Sequence, residues 1–344
     1  MTILIANDGF HAHYFERMGW YNALNEAGIQ VGFYDCKNAD AFDVFDHVEP
    51  SIFIGQLYNL DRATIKCIKE RPHLKVGLRA GHYSKNEKLM NNPHMLTTNN
   101  EELQNLEEIR DSVNFIYCHY LQEDMEETHE LFRAMGLNVL GVPMAADLIN
   151  YYNGEFDERL KCDIGFVGGY WPYKGQIIDK YLTPLLSDYK YSAKIFGNQP
   201  WPHVNQYCGM LDEQHVKNLF ASAQVCPNLS EPHAHEFGFD VNERAFKVLA
   251  AGGLCVMDNV RAAKKIFGDH VIFADTPEQF RSTIDALIFE NRSYKITKHI
   301  KNAQDFIVNN HTSFHRVISM LNTMEETSLA EKVQNALNNY ILKK

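Results

Sequence analysis

Residues 240–259, DVNERAFKVLAAGGLCVMDN, bring a turn, a helix and a strand together in an order that suits phosphate chemistry. Asp240 has the chemistry of a helix N-cap, and Glu243 three positions on completes a capping box. Val241, Ala245, Val248 and Leu249 recur at helical spacing and give the helix an apolar face. Gly252 and Gly253 stop it, and LCVM supplies the next buried strand. The loop before the helix, NLSEPHAHEFGF, runs from a strand end into its N-terminus. Such a terminus turns unpaired N–H groups and the positive end of the helix dipole towards its ligand, which suits a diphosphate. Within that loop Asn228 and Ser230 serve equally well as turn residues or as ligand contacts. His233, His235 and Glu236 cluster there too, but H-x-H alone is no zinc signature, and a sugar contact by either histidine suits the loop better. In GGYWPYKG, the rings of Tyr170, Trp171 and Tyr173 either stack on a base or sugar or pack as a loop edge. Gly9, after the first strand, would let a ligand approach the backbone or simply make a turn, and His11 and His13 follow it. His82, in RAGHYSKN after another strand, is a candidate for catalysis or acceptor binding, or a loop histidine satisfied by its neighbours.

Several chemistries have no motif here. G-x-G-x-x-G, the P-loop and D-x-D are all absent, so a dinucleotide cradle, a P-loop nucleotide site and a metal clamp on a nucleotide lack support; no metal site is expected. The seven cysteines, Cys36, Cys67, Cys118, Cys162, Cys208, Cys226 and Cys255, include no C-x-x-C and read as buried free thiols of a reducing compartment. A net charge of −11 opposes general nucleic-acid binding. Residues 71–88 run against it, with Arg71, Lys75, Arg79, Lys85 and Lys88 facing only Glu70 and Glu87; a solvated surface loop or a local basic patch would explain them. No apolar run approaches the ~20 residues of a membrane span. The N-terminus lacks the basic start of a signal peptide, so a cytoplasmic protein without an integral membrane segment is expected.

The elements that must position these residues alternate along the 344-residue chain. Apolar runs predict strands at 2–6, 30–34, 51–55, 75–80, 115–119 and 138–142, with helices such as 13–27, 61–71 and 122–135 between them. The rhythm pauses over 143–160 and resumes with strands at 163–168, 192–196, 223–227, 254–258 and 270–274, and helices at 175–186, 212–221, 240–251 and 276–290. The rest is helical, with a break near 311–313. Alternation of this kind is α/β: two Rossmann-like, doubly wound parallel sheets. The expected division is an N-terminal domain at 1–145, a linker at 146–160, a second domain at 161–310, and a helical end at 311–344 that packs back on the first domain. Ligands of such sheets bind at the carboxyl ends of the strands.

NERAFKVLAAGGLCVMD resembles the donor-domain signature of GT-B glycosyltransferases, closest to the CgeB-like branch with its N-x-R-x-F-E-x-x-A-x-G pattern. CDIGFVGGYWPYKG is similar to the first strand and loop of that family's second domain, and HTSFHR, residues 311–316, to its H-T-x-x-x-R element. The resemblance implies a GT-B fold, two domains facing a central cleft, and a metal-independent transferase, retaining in our reading, that uses a nucleotide-sugar (UDP-linked by expectation) as co-substrate and no cofactor. Asn242 and Arg244 would lie near the donor nucleotide, Gly168 and Gly169 would admit the diphosphate, and Lys174 would neutralise the leaving phosphate. The donor site would thus comprise Gly168, Gly169, Tyr173, Asn228, Ser230, His233, His235, Asp240, Asn242, Glu243 and Lys247. Lys174, Arg244 and His82 are the catalytic candidates, with Gly9 and His11 on the acceptor side. At Lys247 the family usually has a glutamate that holds the ribose hydroxyls; lysine offers them no acceptor. A glycan or surface polymer is the expected acceptor, with a hydroxymethylated base in DNA as an alternative suggested by residues 71–88. The same fold would also suit a nucleotide-sugar 2-epimerase or a non-catalytic binding protein.

Overall fold

The computed structural model describes residues 1–7, 11–202, 204–290 and 294–343, and only the backbone of His11, Ala12 and Tyr294. Gly9 and the side chain of His11 therefore lie outside the described residues. The chain divides into two compact units, one of Met1–Pro143 with Ser313–Lys344, the other of Met144–Thr312.

The first unit holds strands β1 (Thr2–Asn7), β2 (Gln30–Asp35), β3 (Ile52–Gln56), β4 (Lys75–Arg79), β5 (Val113–Cys118) and β6 (Val139–Gly141), all parallel, in the order β2-β1-β3-β4-β5-β6. Successive residues Ile3, Leu4 and Ile5 are all buried, so both faces of β1 are covered, as a parallel sheet between helices requires. The second unit holds β7 (Cys162–Val167), β8 (Ala193–Phe196), β9 (Ala223–Asn228), β10 (Cys255–Asp258) and β11 (Ile272–Ala274), again parallel, in the order β11-β10-β9-β7-β8. In each sheet the winding reverses beside the first strand, between β1 and β3 and between β7 and β9. Loops diverge at that point and leave a crevice at the carboxyl edge.

Three expected elements differ. The helix expected over 175–186 is two, Pro172–Tyr181 and Thr183–Leu186, because Pro184 cannot donate to the preceding turn. The helix expected over 122–135 is likewise split into Met125–Thr128 and Glu130–Ala134 at His129, whose fully buried ring packs on Phe132. Residues 146–160 are no linker but part of the second unit. Asp147 caps the helix Leu148–Tyr151, and the N–H groups of Asn153 and Gly154 donate to the Ala250 and Ala251 carbonyls at 3.2 and 3.0 Å. Those carbonyls end the helix Glu243–Ala251 and have no partner within it.

The long helix Tyr294–Asn310 stays with the second unit, while Ser313–Thr323 and Thr327–Lys343 return to the first. In the second unit Ala146 bridges Thr312. In the first, Arg316 Nε donates to the Pro143 carbonyl at 2.6 Å, and Lys75 Nζ donates to the Met324 carbonyl (2.6 Å) and pairs with Glu326 (2.8 Å). The H-T-x-x-x-R element thus fastens the chain on either side of its return. No helix among the described residues is long and apolar enough to cross a membrane. Five of the seven cysteines are buried, but Cys36 is half-buried and Cys208 exposed.

The helix Glu243–Ala251 is anchored from behind by Phe246, fully buried between the rings of Phe267 (4.8 Å) and His311 (6.0 Å). Phe246→Ala should cost about 3–5 kcal/mol in a urea titration, as buried phenylalanines do.

Candidate functional site

The carboxyl edge of the second sheet is organised around Arg244. Its helix begins at Glu243, with Asn242 as N-cap. This corrects the expected capping box: Asp240 lies two residues before the cap, in a left-handed conformation (φ 96°), and its carboxylate is taken by His233 Nε2 at 2.9 Å. Arg244, on the first turn, reaches across the crevice between β7 and β9. Its Nε donates to the Val167 carbonyl at the end of β7 (2.6 Å), and Nη1 to Asn228 Oδ1 at the end of β9 (3.1 Å). The guanidinium lies 4.2 Å from the centre of the Phe166 ring. Nη2 makes no hydrogen bond among the described residues and faces Gly168, where an added Cβ would stand 2.5 Å from it. Gly168 is therefore needed for the arginine as well as for any ligand over the loop. Burial lowers the Arg244 pKa to about 10, so the group stays charged at neutral pH.

Lys174 is the third residue of the helix Pro172–Tyr181, which begins just after Gly168 and Gly169. It is 4% exposed. Its Nζ lies 4.7 Å from the Trp171 ring centre and has no hydrogen bond or ion pair among the described residues. Burial, reinforced by the charge on Arg244, lowers its pKa to about 7. A buried ammonium without a partner is costly, and a diphosphate would supply one. Of the three aromatics expected to stack or pack, Tyr170 bonds Asp179 and Tyr173 lies parallel to His233, while Trp171 is 41% exposed above the lysine.

The remaining loop residues brace this pair. Asn228 is fully buried and orients Arg244 rather than facing solvent. Ser230 donates its N–H and hydroxyl to Asp258, at the end of β10, and His235 Nε2 closes on the same carboxylate at 2.6 Å. His233 sits between Tyr173 and Asp240. Both histidines are thus held by carboxylates. No group of three His, Cys, Asp or Glu side chains that could hold a metal occurs among the described residues. Asn242 Nδ2 donates to the Leu229 carbonyl, and its buried Oδ1 has no partner among the described residues. Lys247 is 8% exposed, with Glu243 at 3.0 Å, Glu213 at 3.7 Å and the Tyr151 ring centre at 4.3 Å. Two carboxylates thus stand beside Lys247.

Two site residues went unforeseen. Asp258 carried no motif beyond the end of a strand. Glu231, its carboxyl pKa raised by burial against the pull of Lys174, balances charge beside the lysine. In the first unit, His82 is 2% exposed, stacked on Tyr120 and bonded through Nε2 to its hydroxyl at 3.0 Å, the setting of a packed loop histidine.

Residues 179–322 match the family described as glycosyl transferase-like. No curated protein matches the chain. Solved structures match almost end to end. A glycosyltransferase from Rickettsia africae is 11% identical, covers 97% of this chain and 98% of its own, and superposes with a TM-score of 0.60. HepE of Anabaena in complex with UDP gives 10%, 94%, 99% and 0.60. A trehalose-6-phosphate synthase, OtsA, gives 9%, 94%, 99% and 0.60. In fold the chain is similar to these GT-B glycosyltransferases. The cradle of Gly168, Lys174 and Arg244 lies at the switch point of its second sheet, where a nucleotide is held in open α/β sheets.

Gly168→Ala should push the Arg244 guanidinium aside and weaken pyrophosphate binding more than tenfold in calorimetry, with a small effect on stability. Lys174 adds a pH signature. Below pH 7 it is already charged; above, binding must take up a proton. Pyrophosphate affinity should therefore fall as pH rises past about 7, by up to tenfold per unit. In Lys174→Met that dependence should vanish along with most of the affinity.

Proposed function

We propose that this protein is a glycosyltransferase that moves a sugar from a UDP-linked donor, held by the second unit, to an acceptor held by the first, without a metal and with retention at the sugar carbon. The observation that carries the reading is the unpaired Lys174 ammonium, 4% exposed beside the open Nη2 of Arg244. Glycosyl transfer leaves an oxocarbenium-like sugar and a departing diphosphate. Two cations fixed before the reaction strengthen their hold as that charge develops, the work a metal clamp does elsewhere. The unpaired Asn242 Oδ1 and the exposed Trp171 ring suit the rest of the nucleotide. The carboxylates of Glu243 and Glu213 beside Lys247 supply acceptors for ribose hydroxyls that the lysine lacks. UDP is favoured because HepE was solved with UDP and with UDP-glucose. Retention is favoured because a trehalose-6-phosphate synthase of this fold is described as transferring with retention.

A DNA acceptor loses its support. Arg71 is paired with Asp46, Lys75 with the last helices, Arg79 is buried, and Lys85 sits 3.8 Å from Glu130. Arg71 and Lys75 thus brace the first unit, and these cations do not form one exposed patch. A glycan or polymer acceptor is the reading we keep.

UDP at 100 times its dissociation constant should stabilise the protein by about 2.7 kcal/mol, seen as a rise in Tm that Arg244→Ala abolishes. UDP release from UDP-glucose should then require an acceptor. Release without one would point to donor-only chemistry such as epimerisation, and no shift with any nucleotide would leave a non-catalytic protein.

A further inference from the structure

Arg79 ends β4, at the carboxyl edge of the first sheet and one strand from its switch point. It is 4% exposed, yet its guanidinium makes one hydrogen bond, from Nη2 to His119 Nδ1 at 3.0 Å. Nε and Nη1 are buried and have no partner among the described residues. No carboxylate forms an ion pair with it among the described residues. Its register partner on β5, Tyr117, also buries a hydroxyl without a partner, and the two side chains feel each other electrostatically. A buried guanidinium is tolerated when its charge and its donors are met. Here burial opposes the charge and Tyr58, Cys118, Glu16 and Tyr117 favour it, but two of the donors are not met by the described residues.

The local charge balance points the same way. Glu16, a carboxyl group that acts on Arg79, is 5% exposed, and burial raises its pKa although Arg79, His119 and Arg17 all oppose this. Arg316 also acts on it. Arg79, Arg17 and Arg316 all act on this carboxyl, whose charged form burial disfavours. His119, the partner of Nη2, is only half-buried.

We propose that Arg79, with Tyr117 and His119, is an oxyanion subsite of the first unit, and that the acceptor carries a carboxylate or phosphate which docks there. The acceptor part rests on the proposed transfer reaction; the anion subsite does not. Arg79 positions the acceptor through its charged group and takes no part in the sugar chemistry. An uncharged glycan would leave the guanidinium unmet and would be a poor substrate.

The test uses the full chain in the Arg244→Ala background, so that phosphate bound in the donor cradle does not contribute. Inorganic phosphate and glucuronate are titrated separately, with Tm and calorimetry as readouts. Binding of either should persist in Arg244→Ala and weaken roughly 100-fold on adding Arg79→Met. The stronger of the two probes names the class of oxyanion. If Arg79→Met fails to fold, Arg79→Lys keeps the charge, loses the planar donors and should still weaken binding. With Arg244 intact, Arg79→Lys should raise KM for a uronic acid or sugar phosphate acceptor and leave KM for UDP-glucose unchanged. Equal anion binding with and without Arg79, or a KM change shared by donor and acceptor, would overturn the proposal. Anion binding that needs Arg79 in a protein that transfers no sugar would uphold the subsite and sink the transfer reaction instead.

Discussion

A guanidinium held out of water between two strand ends is the constraint on which the second unit turns. Arg244 spans the gap that the winding of the sheet opens between β7 and β9, bonding Val167 on one side and Asn228 on the other. Its charge can be kept there only if carbonyl, amide and ring partners surround it. Each surrounding choice follows. Gly168 has no Cβ because the guanidinium takes that space. Asn228 must be an amide. Phe166 gives its ring face. Asp258 then fixes the loop after β9 by collecting the Ser230 N–H, the Ser230 hydroxyl and His235. The loop that looks most chemical is thus mainly scaffolding, and the open valences belong to Arg244 Nη2, Lys174 Nζ and Asn242 Oδ1.

Much of this was legible in the chain. Apolar runs gave up the strands because both faces of each sheet are covered, so nothing polar interrupts residues such as Ile3–Leu4–Ile5. Gly252 closes its helix in the left-handed conformation its position implies. What misled was competition for the same atoms. Asp240 has the right spacing from Glu243 for a capping box, but His233, brought close only by the fold, takes its carboxylate. Residues 146–160 lack periodicity because their backbone serves the orphan carbonyls of another helix, a contact invisible along the sequence. Arg79 passed as one member of a charged stretch, since spacing cannot tell a solvated arginine from one that ends a buried strand.

Lys247 shows how a buried cation is accommodated. It lies beside Glu243, Glu213 and Tyr151, so its surroundings carry the opposite sign.

The return of the chain at Ser313 has a consequence for biosynthesis. The second unit is continuous, whereas the first is completed only by the last helices, whose Val317, Met320, Leu321 and Met324 meet Ile3, Ile5, Trp20, Leu24, Ile52 and Ile54. On a ribosome adding about 5–20 residues per second, the N-terminal sheet waits on the order of 10–30 s for that cover while the intervening unit is made. Throughout that interval an apolar face lies bare on the nascent chain. The unit that is first to begin its fold is last to finish it.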